Sequence, residues 1–152
     1  METDALKHKM MEYCAYRERC VSEVVQKLRQ LKAGEEEAVE ILEMLTGEGY
    51  LDEERYVRSY IRGKHRYKKW GRRKIRQSLL LKGVSPDQID KCWDEVEEEE
   101  YEENMNALLE KKAANIKAGG LREKKAKLLR YALGRGYEYE AVWNWINENL
   151  EA

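Results

Sequence analysis

The sequence predicts an all-α protein built of three tandem three-helix repeats, stacked into an elongated, curved array that is either right- or left-handed. Three observations predict it. Apolar residues recur at helical spacing along most of the 152 residues, with a single proline. The apolar positions themselves repeat. Ala38, Ile41 and Leu42 align with Ile89, Cys92 and Trp93 and with Val142, Trp145 and Ile146, at offsets of 51 and 53 residues. Val24 and Leu28 align with Ile75 and Leu79 and with Leu129 and Leu133, at offsets of 51 and 54. Finally, 39% of residues are charged and Phe is absent, so Tyr and Trp must fill thin cores near solvent, as stacked repeats require. The repeats are expected at residues 1–49, 50–98 and 99–152.

Each helix has local support. Leu6, Met10, Tyr13 and Cys14 share one face of a helix from Asp4 to Arg17. Val24, Leu28 and Leu31 define a second, from about Cys20 to Lys32, stopped by Gly34. The third opens on Glu35, Glu36 and Glu37, acids placed at the positive end of a helix dipole, and buries Ala38, Ile41, Leu42 and Leu45. Gly47 and Gly49 close it. Asp52 is a good cap for a fourth helix reaching about Tyr67. Trp70-Gly71 interrupts the pattern, and Ile75 and Leu79 carry a fifth helix to Lys82-Gly83. Ser85-Pro86 is a cap followed by proline at the first helical position. The sixth helix should use Ile89, Cys92, Trp93 and Val96 and run out into Glu97–Glu100. Tyr101 to Lys117, Leu121 to Leu133 and Glu138 to Leu150 complete the last repeat, the middle one packing Leu128, Leu129 and Leu133.

The net charge of −1 hides strong polarity. Residues 1–54 carry −7, residues 55–86 carry +12 with no acid at all, residues 87–103 carry −9 and residues 104–152 carry +3. On a helical wheel Arg55, Arg58, Arg62 and Arg66 fall within roughly 80° of one another, opposite Val57, Tyr60 and Ile61. Lys69 would join the stripe if the helix persists. Such a face suits phosphate contact, with Tyr56, Tyr67 and Trp70 nearby to stack or brace, or docking on an acidic protein surface. Tyr60 and Trp93 read as core residues.

Several function classes are excluded by what the chain lacks. His8 and His65 lie at no metal-ligand spacing from Cys or carboxylates, and His65 reads as a surface member of the basic patch, with cations disfavouring its charged form. No phosphate-binding glycine loop or nucleophile elbow occurs, and the acids come in runs typical of solvated faces. No enzyme activity and no cofactor are expected. Cys14, Cys20 and Cys92 form no CxxC pair and read as buried or idle thiols of a reducing compartment. No apolar run nears the roughly 18 residues of a membrane span, and no signal-peptide core follows Met1, so a cytoplasmic protein is expected.

Tyr50 to Ile61, YLDEERYVRSYI, followed by Trp70 to Ser85, WGRRKIRQSLLLKGVS, resembles the central signature of the RecX family, regulators of the bacterial recombinase RecA. Arg17 to Leu28 resembles the family's first-repeat segment, and Lys127 to Tyr137 its third. Cys20 departs from the family's Ser or Thr cap, and the acidic run Asp94–Glu103 is heavier than the family pattern. The resemblance implies three three-helix repeats and no catalytic residue or cofactor. It implies a monomer seated in the groove of the RecA–DNA filament, limiting its extension, ATP hydrolysis and strand exchange in recombination, DNA repair and the SOS response. Together with the basic face it points to Arg58, Arg62, Arg66, Lys68, Lys69, Arg72, Arg73, Lys74 and Arg76 as the contact with acidic RecA surface or with single- or double-stranded DNA in the filament. Lys124, Lys125 and Lys127 would be a second foot. The alternative is an autonomous DNA-binding protein using residues 71–83 as a recognition-like helix.

Overall fold

A computed structural model describes residues 1–150. It contains nine α-helices and no strand among the described residues: α1 (Thr3–Tyr16), α2 (Val21–Gln30), α3 (Glu35–Gly47), α4 (Glu53–Arg66), α5 (Arg72–Leu81), α6 (Pro86–Asp90), α7 (Glu98–Asn115), α8 (Leu121–Gly134) and α9 (Tyr139–Asn149). No helix is long and apolar enough to cross a membrane. The three cysteines are buried free thiols, as expected of small apolar side chains.

The caps follow the sequence. Asp52 Oδ1 accepts the Arg55 N–H at 3.1 Å and Ser85 Oγ accepts the Gln88 N–H at 3.2 Å, each satisfying a donor left open in a first turn. At α2, where Cys20 stands in the cap position, the Glu23 carboxylate reaches back to the Cys20 N–H at 3.1 Å. That supplies half of a capping box from the acid side.

The chain forms two compact units. The first comprises residues 1–59 and 79–92, the second residues 60–78 and 93 onward, so α4 and α5 each contribute to both. In the first unit α1 and α2 pack on α3. Leu6, Met10, Cys14, Val24, Leu28, Ile41, Leu45 and Leu51 form its buried cluster, with Leu31, Ala38 and Leu42 partly buried against it. These are the stripes read from the periodicity. In the second unit α7 packs on α8 and α8 on α9. Its buried side chains include Ile61, Ile75, Met105, Leu109, Leu128, Val142 and Ile146.

Two expectations are corrected. The sixth helix does not run into Glu97–Glu100. It ends at Asp90, a single 3-10 turn covers Trp93–Glu95, and Glu98, Glu99 and Glu100 form the first turn of α7. Glutamates at the end of α6 would face the negative pole of a helix; at the start of α7 they face the positive pole. In α8 the fully buried pair is Leu128 and Ala132, with Leu129 and Leu133 half-buried. Aligned with Ile75 and Leu79, that pair gives an offset of 53, the same as between Ile89 and Val142. The small Ala132 had hidden the register.

Leu45→Ala should remove a fully buried side chain from the first unit and lower the unfolding free energy by about 2–5 kcal/mol. Urea denaturation checks it; a loss below about 1 kcal/mol would contradict the assigned core.

Candidate functional site

The basic segment divides into a paired part and an unpaired part. Along α4, Arg55 meets Glu18 at 2.7 Å and Arg58 meets Glu54 at 3.3 Å, both within the first unit. Further along, in the second unit, Arg62 pairs with Glu95, Arg66 makes two hydrogen bonds to Glu100 at 2.7 and 3.0 Å, and Arg72 meets Glu98 at 2.6 Å. The acidic run before and at the start of α7 is therefore the counter-charge of the arginine stripe. The Arg66 hydrogen bonds hold the Glu100 carboxyl below its ordinary range. All three pairs keep substantial solvent exposure, so they are weak and salt-screened.

Lys68, Lys69, Arg73 and Lys74 make no ion pair among the described residues. Lys74 instead lies 4.6 Å from the centre of the Trp70 ring, which Lys64 approaches at 4.9 Å. Arg76 is half-buried and engaged within the fold. Tyr67, at the head of this segment, is 85% exposed. Lys69 does not extend the α4 stripe. The helix ends at Arg66, and Lys69 turns the chain with φ 58°, a left-handed conformation unusual for a residue with a side chain.

The α4–α5 loop and the start of α5, which carry these cations, are fastened to the loop between α8 and α9. The Gly71 N–H donates to the Arg135 carbonyl at 2.7 Å and the Arg73 N–H to the Gly136 carbonyl at 3.0 Å. The Arg135 guanidinium donates to the Lys68 carbonyl, and the Tyr137 hydroxyl to the Lys69 carbonyl at 3.0 Å. Glycine is required twice. A Cβ on Gly71 would stand 2.4 Å from the Gly136 carbonyl atoms, and Gly136 has φ +99°.

Beneath the loop lies a polar network that the sequence reading missed. Tyr101 donates its hydroxyl to the Glu138 carboxylate at 2.9 Å and accepts the Arg72 N–H at 3.0 Å. Its ring stacks on His65 with centroids 5.0 Å apart, and the Arg72 guanidinium carbon sits 3.8 Å from the ring centre. His65 is only 1% exposed, so it is no surface member of the patch. Its Nδ1 lies 2.9 Å from the Trp70 carbonyl oxygen and its Nε2 3.0 Å from the Asn104 side-chain nitrogen. A neutral ring protonated at Nδ1 satisfies both: it donates to Trp70 and accepts from Asn104. Burial pushes the imidazole below its ordinary value, and the charges of Lys69 and Arg72 act in the same direction. Burial likewise raises the Tyr101 hydroxyl, and pushes that of Tyr137 up to about 12. A tyrosine at the front of the apolar row Tyr101, Met105, Leu109 was the available sequence signal; its partners lie some 30 residues away and were not.

The second foot is split. Lys127 is bound to Glu123 at 3.1 Å and to the Lys117 carbonyl at 2.8 Å, whereas Lys125 approaches the Trp143 ring at 6.0 Å. Lys124 is half-buried and makes no ion pair among the described residues.

Gly71→Ala should destabilise the protein by about 1–3 kcal/mol through overpacking. Gly63→Ala, within α4 and with no atom near its missing Cβ, should stabilise it by about 1 kcal/mol. Equal shifts of the two in thermal melts would contradict the close backbone approach. The buried neutral His65 should make stability depend on pH. Its contribution is full above the ordinary histidine value of about 6.5. It is lost as pH falls through the lowered folded value, because the unfolded chain takes up the proton first. Denaturant titrations should show this slope in the native chain and a flatter one in His65→Gln; identical slopes would refute it.

The second three-helix domain of RecX matches residues 52–92, and the third three-helix domain of RecX matches residues 98–146. The regulatory protein RecX of Vibrio campbellii is 37% identical over 121 residues, covering 79% of this chain and 76% of that protein. That of Staphylococcus carnosus is 28% identical over 144 residues, covering 95% of this chain and 53% of the relative. That of Clostridium botulinum is 32% identical over 123 residues, covering 79% and 57%. The chain thus spans about half the length of the latter two. A crystal structure of regulatory protein RecX superposes with a TM-score of 0.85 at 25% identity, over 97% of this chain and 73% of that one. RecX from Lactobacillus salivarius shares the fold, with a TM-score of 0.86 at 24% identity over 96% and 95%. Two consecutive domains of the family, and a relative matched over three quarters of its length, place this chain in the RecX family.

Proposed function

We propose that this chain binds the RecA–DNA filament and limits its extension, ATP hydrolysis and strand exchange, acting as a monomer and by binding rather than by catalysis. The observation that carries the reading, within a family whose relatives are named regulatory proteins, is the ridge of uncompensated cations at Lys68, Lys69, Arg73 and Lys74. It sits on the α4–α5 loop and the first turn of α5, fastened from below by hydrogen bonds, so little freedom is lost when a partner orders it.

The arginine stripe beside it adds a second stage. A filament surface of phosphates and carboxylates meets the unpaired amines first. It then competes with Glu95, Glu98 and Glu100 for Arg62, Arg66 and Arg72. Those guanidinium groups are exchanged from one set of anions to another, so the net gain per arginine is small and the lysines carry the affinity. The same glutamates repel a bare phosphate chain at close range, which favours a mixed protein and DNA surface over naked DNA.

Adding the protein to RecA assembled on single-stranded DNA should lower ATP hydrolysis and shorten filaments. The combined variant Lys68→Glu, Lys69→Glu, Arg73→Glu should weaken this at least about tenfold, with an unchanged thermal melt. Arg66→Glu should weaken it less. Unchanged ATP hydrolysis at several-fold excess of the native protein would overturn the reading. Equal binding to naked DNA and to filament would support the autonomous DNA-binding alternative.

A further inference from the structure

The last two helices carry a recess that the cation ridge does not use. It has a volume of about 470 Å3 and is lined by apolar and aromatic side chains of α8 and α9, among them Leu121, Leu129, Tyr139 and Trp143. Arg122 and Lys125 also line it, and among the described residues no carboxylate does. The one acid of α8, Glu123, is held elsewhere by the Gly119 N–H at 3.0 Å and Lys127 at 3.1 Å. Arg122 and Lys125 make no ion pair among the described residues.

The aromatic pair is out of keeping with a solvated face. α9 buries Val142, Trp145 and Ile146. Tyr139 and Trp143, four residues apart and so neighbours on the same face, stay 54% and 37% exposed. Lys125 stands over Trp143 with its ammonium 6.0 Å from the ring centre, at the outer limit of a cation–π contact. A floor of aromatic and leucine side chains asks for an apolar group; two unpaired cations without a competing acid ask for negative charge beside it. A polyphosphate chain would leave the floor unused, and a purely apolar partner would leave Arg122 and Lys125 desolvated and unpaired. Trp, Tyr and Arg are also the residue types that dominate binding energy at small interfaces. The volume lies at the lower end of that found for binding pockets. It suits one large side chain and the backbone on either side of it.

We propose that this α8–α9 recess is a docking site for an acidic peptide segment of a protein partner, one that carries a single large apolar side chain flanked by Asp or Glu. The apolar side chain seats between Leu129 and Trp143, and the flanking carboxylates meet Arg122 and Lys125. The site shares no residue with the ridge at Lys68–Lys74, so the two can fail independently.

The test is a selection of phage-displayed random dodecapeptides on the intact chain, with counter-selection on Trp143→Ala. Survivors should carry Asp or Glu around one Leu, Phe or Trp. A fluorescein-labelled survivor should bind the native chain and lose at least about tenfold in affinity with Trp143→Ala, Tyr139→Ala and Lys125→Glu. Each variant should keep the native thermal melt, and Lys68→Glu, Lys69→Glu, Arg73→Glu should bind as well as the native chain. No enrichment, survivors without acid or without the apolar residue, or equal binding to Trp143→Ala would each overturn the proposal. So would displacement of the labelled peptide by oligothymidylate or by anionic vesicles at matched charge. A native dimer in sedimentation equilibrium that dissociates in Trp143→Ala would assign the recess to a second copy and overturn it as well.

Discussion

Two backbones meeting at Gly71 and Gly136 are the constraint on which the second unit depends. Neither position has room for a Cβ, and the bonds from Gly71 to Arg135 and from Arg73, in the first turn of α5, to Gly136 join segments far apart in the chain. With the side chains removed, the α4–α5 loop comes close enough for Tyr137 and Arg135 to bond its carbonyls. The left-handed turn at Lys69 then becomes tolerable, because its neighbours on both sides are fixed. A run of cations that would otherwise repel one another into disorder is held as a ridge. The segment is held by two backbone hydrogen bonds and by the side chains of Arg135 and Tyr137.

The charge pattern acquires a different meaning once the pairs are seen. Glu98 and Glu100 in the first turn of α7 compensate Arg72 and Arg66, and the α7 dipole stabilises those two acids, whereas Arg62 is met by Glu95 of the preceding 3-10 turn. Glu98 and Glu100 therefore each serve a helix end and a guanidinium at once. What remains uncompensated is smaller than the sequence suggests, and it is concentrated on the loop and on the first turn of α5. On the proposed function, a partner would meet a few cations in fixed positions instead of a broad positive field. His65 and Tyr101 support the arrangement from below in neutral forms.

Most of the fold was legible in the sequence because it is written in local terms. The helices follow the apolar spacing and the caps at Asp52 and Ser85, and the repeat appears as a recurrence of that spacing. The reading failed where two local signals competed. Cys92, Trp93 and Val96 continue an apolar pattern past Asp90, yet the glutamates that follow start a new helix. In α8 three leucines offered a register that the small Ala132 in fact sets. The site was less legible. The arginine stripe is a property of one helix and could be drawn on a wheel. Its neutralisation depends on Glu95, Glu98 and Glu100, tens of residues away, and so does the burial of His65 under Asn104 and Tyr101. Contacts of that range leave no periodicity in a single sequence.

The contact proposed above is between the unpaired lysines of the α4–α5 loop and the RecA–DNA filament. Acetylation footprinting, read by mass spectrometry on the protein free and bound to RecA on single-stranded DNA, addresses those side chains directly. Lys68 and Lys69 should lose most of their reactivity in the complex while exposed Lys111 on α7 keeps its own. Undiminished modification of Lys68 and Lys69 in a saturated complex would contradict it.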